Sequence, residues 1–125
     1  MLEKIIEEKL KKAVKQNGGV CWKFTSPGTA GVPDRIVLMP GGRIAFVEVK
    51  APGEKPRPLQ LSRHKLLRRL GFLVYVLDAC EDIDKIIWEV KMKLHDYQNM
   101  LFALSKNIQS QHSFWIWDLV RRLQH

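Results

Sequence analysis

The chain has 125 residues, enough for one domain with a sizeable core and too few for two. Hydrophobic residues make up 46% and charged residues 27%, the balance of a soluble globular protein, and no apolar run approaches the roughly 18 residues a membrane span needs. The net charge of +8 favours a polyanionic partner, most simply nucleic acid. The opening "MLEKIIEEKLKK" interleaves charged and apolar groups and is not a signal peptide, so an intracellular protein is expected. Cys21 and Cys80 have neither zinc-ligand spacing nor a disulfide framework around them, and are expected to be reduced.

In chain order, Leu2, Ile5, Ile6, Leu10, Ala13 and Val14 recur at helical spacing and predict a helix over 2–16, stopped by Gly18 and Gly19. "VCWKFT" (20–25) predicts a short strand, "SPGTAGVP" (26–33) a loop, and "DRIVLM" (34–39) a second strand. "PGG" turns the chain into a third strand, "RIAFVEV" (43–49). "KAPGEKPRP" (50–58) contains three prolines and is a basic, irregular loop. Pro58 suits the first position of a helix that runs to Leu70 and stops at Gly71. "FLVYVLD" (72–78), apolar almost throughout, predicts a central strand. Residues 81–106 read as helical, and "SFWIWDLVRRLQH" (113–125) as a last short helix. The order αβββαβ plus helices predicts an α/β fold, a mixed four-stranded sheet flanked by helices. Its core spans 1–90 and a C-terminal helical extension spans 91–125.

The hairpin carries the chemistry. If Pro40, Gly41 and Gly42 form a three-residue loop, Met39 pairs with Arg43 and Asp34 lies directly opposite Glu48. Opposed side chains have Cβ atoms about 4.5–5.5 Å apart, where like charges repel. A two-residue loop makes the two acids diagonal neighbours instead. In either register they converge at one end of the hairpin. The two-residue period places Ile44, Phe46, Glu48 and Lys50 on one face, so a carboxylate and an ammonium project from a face that begins as core. Folding alone calls for no such cluster; a hard divalent cation does. Mg²⁺ or Mn²⁺ would offset the repulsion, and Lys50 would orient the attacking water or stabilise developing phosphate charge. Beside this cluster, Lys50 to Arg69 holds seven Lys or Arg and one acid, Glu54, a concentration suited to a phosphate backbone.

"PD" at 33–34 and "EVK" at 48–50 resemble the signature of the PD-(D/E)xK nuclease superfamily, whose fold is the restriction-endonuclease-like core. The ordered set "EKIIEEKL", "GVPDRIVLMPGGRIAFVEVK" and "RPLQLSRHKLLRRLG" is similar to the VRR-NUC (virus-type replication-repair nuclease) domain, in its small stand-alone phage or bacterial form, over roughly residues 2 to 78. The resemblance implies that Asp34, Glu48 and the backbone carbonyl of Val49 ligate the metal, that Lys50 serves the nucleophilic water, and that Gln60 reaches back toward the site. It also implies a Glu from the first helix. Glu3 and Glu7 lie one turn apart on one face; Glu7 is preferred by its distance from the Gly18–Gly19 stop, with Glu3 second. Ser26 stands where archaeal Holliday-junction resolvases, which share this core, carry an active-site serine; the alternative is a turn former.

Lys55, Arg57, Arg63, Lys65, Arg68 and Arg69 are expected to neutralise the DNA backbone, contacts that carry no sequence information. Arg35 reads as a contact on the far side or a surface residue, and His64 as a surface or phosphate-proximal group, not a ligand. The expected function is a Mg²⁺-dependent endonuclease, with Mn²⁺ able to substitute, acting on branched or flap DNA of the Holliday-junction type in the cytoplasm of a bacterial or phage-infected cell. Two symmetric cuts and the apolar tail at Phe114, Trp115, Ile116, Trp117, Leu119, Val120 and Leu123 make a homodimer plausible, with no membrane involved. The rival is a DNA-binding module that keeps fold and charge without catalysis.

Overall fold

A computed structural model describes residues 2–92 and Phe102. Residues Met1–Lys91 form one compact unit, and a second begins at Met92. The helices expected beyond 92, the Trp-rich tail among them, lie outside the described residues. The elements are α1 (Leu2–Gln16), β1 (Val20–Lys23), β2 (Arg35–Met39), β3 (Arg43–Val49), α2 (Pro58–Arg69) and β4 (Leu73–Leu77). A 3₁₀ turn at Cys80–Asp82 follows and leads into α3 (Ile83–Lys91).

The apolar stripe of α1 buries Ile6, Leu10 and Val14, and the Gly19 N–H returns to the Val14 carbonyl at 3.0 Å to end the helix. The strands form one sheet in the order β1-β2-β3-β4. β1 pairs β2 and β2 pairs β3 antiparallel, while β3 and β4 run parallel through the α2 crossover. The sheet is mixed, as expected, but β4 is an edge strand. Its apolar run has another cause than a central position: α2 and α3 both pack on it.

The hairpin register is the one a three-residue loop dictates, Met39 opposite Arg43 and Arg35 opposite Val47. Pro40 explains the choice. Two-residue hairpin turns need a positive φ at their first residue, and proline is locked negative. Gly41 and Gly42, at φ 86° and 73°, supply the left-handed residues the longer loop needs.

One face of the sheet carries Cys21, Val37, Met39, Ala45, Val47, Val49 and Leu77, which close a single core with α1 and with Ile83, Ile86, Ile87 and Val90 of α3. Each buried Val, Leu, Ile or Met of this core contributes about 1.5–3 kcal/mol, and on β3 the core runs to the last residue of the strand, Val49. The other face is thinner. Phe24, Phe46 and Phe72 run across it with ring centroids 5.4 and 5.6 Å apart. Ile44, expected in the core, is 36% exposed, as are Val20 and Trp22 to a greater extent. α2 lies over the opposite end of this face, above Glu48.

Candidate active site

β2 gives out one residue before Asp34 is reached, and the reason is Pro33. Continuing the register past Arg35–Val47 sets Asp34 against Glu48 and Pro33 against Val49. The Lys50 N–H reaches across to the Leu77 carbonyl at 2.9 Å, so the peptide groups of Val47 and Val49, one residue out of phase, face β2. A proline there has no N–H to give the Val49 carbonyl. The Asp34 carboxylate takes the other half of the lost pair, its Oδ1 accepting from the Val49 N–H at 3.0 Å. From the opposite side, the Phe24 N–H donates to the Asp34 carbonyl at 2.8 Å, so β1 also fixes this residue. Asp34 and Glu48 stand in a non-hydrogen-bonded position, where paired Cα atoms approach to about 4.5 Å.

Glu48 is 3% exposed, and its Oε1 has no hydrogen-bond partner. Burial raises its carboxyl to about pKa 7, aided by the neighbouring Asp34 and Glu3 charges and opposed by Lys50 and Arg57. Asp34 is raised too, by burial first and by Glu3, against the Val49 hydrogen bond and Lys50. Lys50 is half-buried beside them. A buried Glu48 with one oxygen unsatisfied and a half-buried Asp34 beside it form a donor set that fits a hard cation. Among the described residues no three His, Cys, Asp or Glu side chains could enclose an ion by themselves. Two carboxylates and a backbone carbonyl suit Mg²⁺, which keeps waters and shares phosphate oxygens and does not need an all-protein cage.

The structure divides the helix-1 acids differently from the sequence. Glu7 forms an ion pair and hydrogen bond with Arg35, whose side chain is 11% exposed. Arg35 is therefore an anchor between β2 and α1, neither a far-side DNA contact nor a surface group. Glu3, one turn nearer the N-terminus, is the helix-1 acid whose charge is felt by both Asp34 and Glu48. Gln60 is buried, and its Oε1 accepts from the Arg57 N–H at 2.8 Å across the first turn of α2. That bond secures the helix start and reaches neither acid. Ser26 accepts at its carbonyl from the Thr29 N–H, 3.1 Å away, in a turn. His64 is 0% exposed, contrary to a surface reading, and its Nε2 lies 3.6 Å from Glu48 Oε1. Burial lowers its pKa, helped by Arg68 and Lys50.

Of the expected phosphate contacts, Lys55, Arg57, Lys65 and Arg69 are exposed. Arg63 Nε donates to the Ala30 carbonyl at 3.0 Å, and Arg68 Nη2 to the Val74 carbonyl at 2.9 Å, so both also tie α2 to its neighbours. Ser62, Arg63, Lys65, Leu66 and Arg69 line a groove of about 310 Å³. Cys21 is buried, its thiol pushed up to about pKa 11 by that burial, and both cysteines are free.

No protein-family model matches the chain. A solved structure described as a VRR_NUC domain superposes with a TM-score of 0.66 at 35% identity, covering 70% of this chain and 95% of that one. The fold is thus that of a nuclease domain with a mixed four-stranded sheet between helices. The chain is also 52% identical over 85 residues to a protein named "Putative nuclease p44" from Acyrthosiphon pisum secondary endosymbiont phage 1, across 68% of this chain and 90% of the relative. The chain belongs to the VRR-NUC family of nuclease domains.

Proposed function

We propose that this nuclease domain is a Mg²⁺-dependent endonuclease that hydrolyses phosphodiester bonds in branched DNA, of the Holliday-junction or flap type. The observation that supports this reading is the buried Glu48, its Oε1 unsatisfied, with the half-buried Asp34 set opposite it by extension of the hairpin register and Lys50 next to it on the same strand face. Asp34, Glu48 and the Val49 carbonyl would hold Mg²⁺, with Mn²⁺ able to replace it. When bound, the cation supplies positive charge to a phosphate oxygen and acidity to a water. Lys50 orients that water and stabilises the charge that builds on the phosphate as the water oxygen bonds to phosphorus and the leaving sugar oxygen departs. The products are a phosphate monoester and an alcohol. Lys55, Arg57, Lys65 and Arg69 hold the DNA backbone by charge, so preference follows DNA shape, not base sequence. A two-fold homodimer would supply the two sites that paired cuts in a junction require.

The test incubates purified protein with labelled four-way junction, flap and linear duplex, with Mg²⁺ and with EDTA. Branched substrates are expected to be cut with Mg²⁺ alone. Asp34→Asn and Glu48→Gln are each expected to reduce the rate by at least about 10³-fold, the scale of losing a charge-stabilising group in the transition state, while binding to the junction persists. Binding without cutting under any divalent ion would leave a DNA-binding module. Light scattering of the free protein at twice the monomer mass is the expected result for the dimer.

A further inference from the structure

α2 is turned the unexpected way round. Its buried side chains are Gln60 and His64, one turn apart, while Leu59, Leu61, Leu66 and Leu70 are 46%, 50%, 37% and 64% exposed. Leu59, Leu66 and Leu70 share one stripe, and rotating the helix to bury it would take that apolar surface out of water, the main favourable term in folding. Something at the inward face holds it as it is. Gln60 is accounted for by its bond to the Arg57 N–H. His64 is not: it is 0% exposed and neither ring nitrogen has a hydrogen-bond partner. Glu48 Oε1, 3.6 Å from its Nε2, is likewise buried and unpartnered. Two orphaned groups of complementary kind facing one another across a gap about half an ångström too long for a hydrogen bond are not an accident of packing.

We propose that His64 is a positioning residue for the site: its Nε2–H donates to Glu48 Oε1, fixes the carboxylate's orientation, and leaves Oε2 as the oxygen offered to the cation. The inference rests on the nuclease reading and adds a residue that touches neither DNA nor metal. A carboxylate with one oxygen tied down has fewer ways to bind, so the cation meets a set geometry. Partners of this kind behind a metal ligand change affinity by about 10–100-fold when removed. The same contact explains the helix's orientation, since losing it would leave both buried groups unsatisfied.

The test is calorimetric titration of Mn²⁺ into the metal-free full chain, comparing wild type with His64→Leu and His64→Gln. Leucine fills the space without a donor; glutamine puts an amide N–H where Nε2 was. Expected are Mn²⁺ affinity about 10–100-fold weaker in His64→Leu and restored to within about threefold in His64→Gln, with both variants folded before metal is added. Half-saturating Mg²⁺ for cleavage should rise in His64→Leu while KM for DNA stays put. If His64→Leu does not fold, His64→Asn replaces it, since its amide is too short to reach Glu48. Unchanged Mn²⁺ affinity in His64→Leu, with binding lost in Asp34→Asn, overturns the proposal and spares the nuclease reading. Equal losses in the glutamine and leucine variants overturn it in favour of packing. Nitrogen hyperfine coupling on bound Mn²⁺ that disappears in His64→Leu overturns it by making His64 a direct ligand. No Mn²⁺ binding by folded wild type removes both readings.

Discussion

At Glu48 the folded carboxyl titrates near pKa 7, against 4.5 for the free side chain. Between those values the folded protein binds more protons than the unfolded chain, so the stability of the metal-free protein falls as pH rises through that window. The effect is on the order of 3–4 kcal/mol at full ionisation, since each tenfold change in proton affinity is worth about 1.4 kcal/mol. Glu48→Gln is therefore expected to melt above wild type at pH 8 in EDTA and to lose that advantage near pH 5. Parallel thermal melts at the two pH values measure it. The two helix-1 acids separate in the same assay. Glu7→Gln leaves the buried Arg35 guanidinium short of its charge partner, and about 1–3 kcal/mol of stability is expected to go with it. Glu3→Gln removes a repelling charge from Asp34 and Glu48 and is expected to hold or raise the melting temperature of the metal-free protein. The sequence shows both acids on one face, one turn apart. It carries no information on how far along its axis the helix crosses the sheet, and that distance decides between them. His64 was hidden for a related reason: apolar periodicity points α2 the other way, and the polar contacts of Arg63 with Ala30, Arg68 with Val74 and His64 with Glu48 are not written in that periodicity.

The elements that place Asp34 are tied to one another by Gly31. Its φ is +84°, and a Cβ there would lie 2.8 Å from Leu59 Cγ and 3.0 Å from the Leu59 carbonyl oxygen. The loop carrying Asp34 and the first turn of α2 are thus in backbone contact, with room for nothing larger than hydrogen. Gly31→Ala is expected to cost on the order of 2–4 kcal/mol, from the left-handed backbone and the overlap together, read as a drop in urea midpoint. Activity should fall further than stability, because the residue displaced leads directly to Asp34. The hairpin was the most legible element. Alternation in "RIAFVEVK" brings the two acids to one end of the hairpin in either register, and the loop's proline excludes the two-residue turn. β4 was misplaced because an apolar run reports burial on two faces, and an edge strand between two helices has that as well.

For the whole molecule, the excess of eight positive charges is expected to make the proposed DNA affinity depend steeply on salt. Lys65→Ala and Arg69→Ala, both exposed beside one groove, are each expected to lower the slope of log affinity against log salt by about 1 without changing the melting temperature. Arg63→Ala and Arg68→Ala should lower both, because each also forfeits a bond to a backbone carbonyl. Fluorescence anisotropy over a salt series, with melts alongside, separates the two pairs. Composition announced the charge but not its double duty, which depends on which arginines lie over backbone carbonyls. The tight bend at Pro40 to Gly42 sits at the far end of the ladder from the acids, yet it sets their alignment. An added residue in the exposed 52–54 stretch is therefore expected to be tolerated, whereas deleting one glycine from the bend would force a frame slip that moves the two acids out of direct opposition.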